Sequence, residues 1–109
     1  SELKFVYLSS DAVYKDTKSP INEKTEADPN TLHGLMHVTR ERIFSSFFCK
    51  KMLVVRPTLI YGENDPHNGY GPNKFYRDIK DKKKIFLFGN GEEKRDHVLI
   101  DDLIKYFIK

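Results

Sequence analysis

Two short apolar runs bracket one long amphipathic segment, and that order limits the fold more than any other feature of the chain. "LKFVYLSS" (residues 3–10) and "KMLVVRP" (51–57) are aromatic or β-branched, too short for buried helices, and end in small polar residues or proline. Between them, residues 30 to 48 place Leu32, Leu35, Met36, Ile43, Phe44 and Phe47 at helical spacing, which predicts one apolar stripe on one helix. Strand, helix, strand implies a βαβ unit with parallel strands, because a parallel pair needs a crossover. Two parallel strands cannot bury both of their faces, so the unit is expected to belong to a larger doubly wound α/β sheet. Such sheets bind ligands beyond the C-terminal ends of their strands. Here those ends carry "SSD" (9–11) and "RPTLIYG" (56–62).

The rest of the chain is read more coarsely. Residues 14–30, with Pro20 and Pro29, predict a surface loop, and "ENDPHNGYGP" predicts another. "NKFYRDIKDKK" reads as a short helix, "KIFLFGNGEE" as a strand running into a turn, and "RDHVLI" as a short strand. Asp101 or Asp102 is expected to cap a last helix, "DLIKYFIK".

Composition narrows the function classes. The 109 residues suffice for one small domain, and 39% hydrophobic with 32% charged residues describes a globular chain. The net charge of +3 is mild, and the local run Lys82, Lys83, Lys84 beside Asp81 reads as a solvated helix end, so no nucleic-acid partner is expected. No apolar run approaches the ~20 residues of a membrane span and no signal peptide is visible, so a cytoplasmic protein with no membrane partner is expected. Cys49 is the one cysteine, expected as a buried structural thiol in a reducing compartment. The chain begins at Ser1 without an initiator methionine and stops in what reads as an unfinished helix, so both ends look like cuts.

The most distinctive local feature is "TLHGLMHVTRE" (31–41). His33 and His37 are four apart, one turn above each other on one helix face. Three readings stand side by side: a metal clip, an acid/base pair, or two core residues. For metal, a third ligand with supporting spacing is missing. His67, His97 and Cys49 do not supply it, and the zincin pattern needs Glu where Gly34 stands, so no metal site is expected.

Taken in series, "VYLSSDAVY", Pro29 with "HGLMH", "VVRPTLIYG" and "LFGNGEEKRDHVLIDDL" resemble the second half of an extended short-chain dehydrogenase/reductase, the group that includes the NAD-dependent nucleotide-sugar epimerases and dehydratases. The resemblance covers nearly the whole chain. It implies a partial Rossmann-like doubly wound parallel sheet over residues 1–62, then the start of a small substrate-binding lobe and a return to the core over 63–109, with the N-terminal dinucleotide-binding half missing. It also implies NAD or NADP as cofactor, a nucleotide-sugar or related small-molecule substrate, and a homodimer through helix 31–48.

The resemblance assigns roles residue by residue. Ser10 matches the Ser or Thr that hydrogen-bonds the reacting oxygen. His33 falls where the family has its acid/base Tyr, and His37 where it has the Lys that binds the nicotinamide ribose, so the chain departs from the family at both places. The departure is chemically coherent. A free Tyr titrates at about 10 and needs a cation beside it to work at neutral pH, whereas an unperturbed imidazole titrates at about 6.5. A neighbouring His can still hydrogen-bond a ribose hydroxyl. Ser9, Pro57 and Thr58 match the stretches that meet the cofactor. Asp11, Asn73, Lys74 and Arg95 match the substrate end, with Arg95 as the guanidinium that grips a diphosphate. Arg95 in an ion pair with Glu92, Glu93 or Asp96 is the plain structural alternative, as turn-capping is for Asp11. After the serine, sugar dehydratases carry Asp then Glu. Asp11 is followed here by Ala12, which implies epimerisation or reduction over dehydration. Leu59 stands where many relatives have an Asn facing the substrate. "GNG" at 89–91 leads to a charged turn and not to a helix, so it is no pyrophosphate loop.

Overall fold

The computed structural model describes Glu2, residues 4–69 and residues 71–108. Strand β1 (Phe5–Leu8) leads through one helical turn (Asp11–Val13) and a long loop into helix α1 (Leu32–Phe48). Strand β2 (Met52–Val55) follows and pairs with β1 in parallel, Phe5 opposite Met52 and Leu8 opposite Val55. The βαβ unit is therefore present as the sequence predicts. A second one follows: strand β3 (Leu59–Tyr61), helix α2 (Gly71–Lys80) and strand β4 (His97–Leu99), with β3 and β4 parallel and Ile60 opposite Val98. Helix α3 (Ile100–Ile108) closes the described chain.

The chain divides into two compact units between Pro57 and Thr58. Strand β3 belongs to the second unit because its partner is β4.

In the first unit, α1 starts where Thr31 caps it, the threonine hydroxyl accepting from the Gly34 N–H at 3.1 Å. Its inward face is not the apolar stripe. Gly34, His37, Val38, Glu41, Phe44 and Phe48 are buried or half-buried, whereas Leu32 is 85% exposed and Phe47 77%, with Leu35, Met36 and Ile43 also exposed. Of the predicted stripe only Phe44 packs inward. It lies on Phe5 and Tyr7 at ring distances of 4.9 and 5.1 Å, while Phe48 stacks on Phe5 at 4.3 Å. Phe5 and Tyr7 alternate with the exposed Val6 and Leu8, so α1 covers one face of the β1–β2 sheet. Val13 and Leu103 are the only apolar side chains that are buried among the described residues.

Three local expectations are corrected. Residues 84–88 form no strand, and Phe86 and Phe88 are exposed, because the run has no strand partner among the described residues. Neither Asp101 nor Asp102 caps α3: β4 passes straight into the helix at Ile100, which leaves both aspartates inside the first turn. Cys49 is exposed rather than buried, since it sits at the C-terminal cap of α1 with φ of 49° where the chain turns toward β2.

Candidate functional site

The C-terminal end of β1 delivers Ser9 and Ser10 to the N-terminal half of α1. Ser9 is buried and its hydroxyl donates to the Glu41 carboxylate at 2.6 Å. Ser10 is half-buried and caps the following turn. Its hydroxyl accepts from the Ala12 N–H at 3.1 Å and donates only a long 3.3 Å contact to Asp11. The Ser10 hydroxyl proton is thus weakly committed and can be given to a ligand oxygen. The Asp11 N–H donates to the Pro57 carbonyl at 3.0 Å, so the backbone of β2's far end is held against β1's.

Helix α1 reaches this place because residue 34 is a glycine. A Cβ there would stand 1.9 Å from the Ala12 carbonyl oxygen. The helix therefore touches the turn just past Ser10 with bare backbone, at the residue that follows His33. His33 is exposed and its ring meets that of His37 edge-on at 4.8 Å. Both histidines thus stack as their spacing predicts. His37 is half-buried, and its Nδ1 is 2.9 Å from the Tyr7 hydroxyl. Burial, then the charges of His33 and Arg40, lower its proton affinity below that of a free histidine, with Glu41 opposing. The ring is consequently held toward its neutral form, with Nε2 left for a ligand.

Beneath this layer lies a polar cluster that the sequence reading did not single out. Arg56 donates two hydrogen bonds to Glu41, Nε to one carboxylate oxygen at 2.9 Å and NH2 to the other at 2.6 Å, and NH1 donates to the Tyr14 hydroxyl at 2.7 Å. Burial alone would raise the Glu41 carboxyl. The hydrogen bonds from Arg56 and Ser9 and the Arg56 charge outweigh it and leave the carboxyl below its ordinary range. Hydrogen bonding to Glu41 also holds Arg56 more firmly protonated. The signal for this cluster was Glu41 itself, four residues after His37 on the helix face that also carries Val38, Phe44 and Phe48.

The other predicted residues belong to the second unit. Thr58 donates its hydroxyl to the Asp96 carbonyl at 2.6 Å. Asn73 donates to Asp65 at 2.8 Å, and Lys74 pairs with the buried Asp78 at 2.6 Å. Arg95 is ion-paired with Glu93, the plain structural reading of that guanidinium. Beyond the ends of β3 and β4, residues 60–65 and 99–101 line an open cavity of about 660 Å³, and none of the predicted site residues lines it. Its carboxylates, Glu63, Asp65 and Asp101, make it a poor seat for phosphate. No cluster able to hold a metal ion exists among the described residues, and no described helix is long and apolar enough to cross a membrane.

Past the end of β1, Ser10, His33 and His37 carry hydrogen-bonding groups of the kind that sugar hydroxyls pair with, and the Asp11 N–H holds the Pro57 carbonyl close by. A pyrophosphate finds no seat: no Gly-rich strand-to-helix turn occurs among the described residues, and α3 opens with Asp101 and Asp102 at the end where an anion would bind.

Parallel strands joined by helices, with polar side chains gathered past the strand ends, define a Rossmann-like α/β protein. The chain belongs to the NAD dependent epimerase/dehydratase family, whose model matches residues 1–109. It is 26% identical over 107 residues to the uncharacterized UDP-glucose epimerase YtcB of Bacillus subtilis, covering 93% of this chain and 33% of that protein. It is 27% identical over 119 residues to the dTDP-D-glucose 4,6-dehydratase of Dictyostelium discoideum, covering 95% of this chain and 27% of that protein. Its fold is similar to that of UDP-glucuronic acid 4-epimerase from Bacillus cereus, solved with UDP-glucuronic acid and NAD: TM-score 0.80, 20% identity, 94% of this chain and 33% of that one. It is similar also to UDP-N-acetylglucosamine 4-epimerase from Methanobrevibacter ruminantium, solved with UDP-N-acetylmuramic acid: TM-score 0.79, 23% identity, 94% of this chain and 36% of that one. The chain spans about a third of the length of the relatives it matches.

Proposed function

We propose that this chain is part of an NAD(P)-dependent nucleotide-sugar epimerase or reductase, in which His33 does the work of the family tyrosine. The observation that supports it is the close approach of α1 to the turn after Ser10, through Gly34 against Ala12. The cofactor, when bound, supplies a reversible hydride acceptor. Ser10 holds the sugar oxygen with its hydroxyl proton, turned away from the long contact to Asp11. His33 takes the proton of that sugar hydroxyl as the carbon becomes a carbonyl, and gives it back when the carbon is reduced again. His37 binds the nicotinamide ribose through Nε2, next to Ser9 and the Pro57 backbone. Asp11 in the first unit contacts the substrate; within the second unit, Asn73 and Lys74 are assigned to substrate and Arg95 exchanges Glu93 for a diphosphate. Activity on UDP- or dTDP-sugars, measured in the full-length protein, tests this reading. His33→Ala is expected to lower kcat by about a hundredfold or more, the range for a lost general acid/base, with His33→Tyr retaining turnover. Equal turnover in wild type and His33→Ala sinks the role.

A second reading is favoured by the Tyr7–His37 hydrogen bond, which gives His37 a structural task. In it, the protein is a catalytically inactive relative that still binds NAD(P) or a sugar nucleotide, or a truncated chain without function. Cofactor binding without turnover supports the inactive relative; no binding at all supports the truncated chain.

The outward stripe of α1 fits the homodimer that the family resemblance implies. Leu32, Leu35, Met36, Ile43 and Phe47 form an apolar face on one helix, and charge placed there opposes its burial. Phe47→Glu is expected to convert a dimer to monomers in sedimentation velocity, with the far-UV spectrum unchanged. An unaltered dimer excludes this face as the interface.

A further inference from the structure

We propose that Ser9, Glu41, Arg56 and Tyr14 form a positioning clamp that sets the height of helix α1 on the β1–β2 sheet and so places His33 and His37 over Ser10. The inference rests on the dehydrogenase-like reading of those three residues. The clamp joins every element that carries them. Ser9 is the neighbour of Ser10 at the end of β1, Glu41 lies one turn beyond His37 on the same face of α1, and Arg56 directly precedes Pro57 after β2. Tyr14 follows the turn that touches Gly34. Each member is hydrogen-bonded: Ser9 to Glu41 at 2.6 Å, Arg56 to both Glu41 oxygens at 2.9 and 2.6 Å, and Arg56 to Tyr14 at 2.7 Å. No buried side-chain polar atom among the described residues lacks a partner.

The location of the cluster argues for register rather than adhesion. Apolar packing slides: a helix can shift along a greasy strand and keep most of its contact area. The inward face of α1 offers Val38, Phe44 and Phe48 for such packing, all only half-buried, and Val13 is the only fully buried apolar side chain of this unit among the described residues. A bidentate fork does not slide, because both of its bonds need one distance and one plane. A buried ion pair is weak evidence of net stability and in some proteins is kept for the geometry it fixes; the geometry assigned to it here is the vertical setting of α1. Tyr7 reads that setting out. Its ring rests on Phe44 and its hydroxyl reaches His37 Nδ1, so the tyrosine spans Glu41 along the helix. A slip of α1 breaks the Tyr7–His37 bond first.

The test uses the full-length protein with two variants that keep every charge. Arg56→Lys removes the fork, and Ser9→Ala removes one arm while leaving the ion pair whole. Imidazole nitrogen NMR of His37 and steady-state kinetics are read together, with thermal unfolding as the control for folding. The expected result is loss of the His37 Nδ1 hydrogen-bonded signal in Arg56→Lys, partial loss in Ser9→Ala, and a fall in kcat of roughly tenfold to a hundredfold with KM for the sugar nucleotide little changed, as for a displacement of about 1 Å. Folded variants with a lower Tm but an unchanged His37 signal and kcat overturn the clamp and leave a merely structural pair. If Arg56→Lys does not fold, Ser9→Ala decides by the same criteria. If wild type shows no turnover, the dehydrogenase-like reading fails separately, and the His37 signal still decides whether the clamp sets the helix.

Discussion

Gly34→Ala is expected to destabilise the first unit by at least ~2 kcal/mol, although alanine is the better helix former by ~1 kcal/mol. The two effects oppose each other, and the distances choose between them. An added Cβ would lie 1.9 Å from the Ala12 oxygen, 2.9 Å from the Ala12 carbon and 2.7 Å from the Pro29 Cβ. Two of those atoms are backbone, so no side-chain rotamer relieves the clash and α1 or the turn has to move. Overpacking that forces side chains off their rotamers and shifts backbone costs ~1–3 kcal/mol, occasionally more. Urea unfolding checks it: the midpoint falls, with the slope unchanged. A raised midpoint, which helix propensity alone would give, refutes the close approach of α1 to the turn. The same variant is expected to lose nucleotide-sugar turnover even where it remains folded, because residue 34 adjoins His33 and Ala12 lies two residues past Ser10.

Much of the architecture was legible because it is periodic. β1, α1 and β2 announce themselves by length, branching and spacing, and their parallel pairing follows from the connection alone. The stacking of His33 on His37 follows from the helical repeat. What the sequence hid is non-local. Counting apolar residues turned α1 the wrong way round, since its inward face is made acceptable by Tyr7, Ser9 and Arg56, which satisfy His37 and Glu41 from other elements. Residues 84–88 have the composition of a strand, yet composition does not supply a partner to bond with. Leu59–Tyr61 looked like the tail of β2's motif because Pro57 precedes it, and only the pairing with β4 reveals a strand. For Arg95, the rival reading, an ion pair with a near neighbour, was written in "EEKRD" and is what the fold displays.

Glu41→Ala is expected to be among the most damaging single substitutions in the chain, worth about 3 kcal/mol and up to ~5 kcal/mol, while joint replacement of Glu41 and Arg56 by Leu and Met is expected to cost far less. The single change strips Arg56 of the two hydrogen bonds and the charge of Glu41, and leaves a guanidinium three-quarters buried with Tyr14 as its one remaining partner among the described residues. The partial exposure of Arg56 favours the lower end of that range, since solvent can relieve some of the stranded charge. The joint change removes both desolvation penalties together with the attraction. A double-mutant cycle on unfolding free energies separates the two cases, and near-equal losses in the single and joint variants would deny the pair its coupling. Acid gives an independent check with a definite sign. The Glu41 carboxyl is held below its unfolded value of about 4.3. Its contribution is therefore complete above that pH and is lost as pH falls through the lower folded value, where the carboxyl protonates and releases Arg56. Wild type is expected to lose stability over that interval more steeply than the Leu/Met double variant, whose first unit has no carboxylate left to protonate at this position. The two curves converge toward low pH if Glu41 is the group responsible. They stay parallel if the acid sensitivity of this fold resides in the exposed pairs of its surface, Lys15–Asp28 among them.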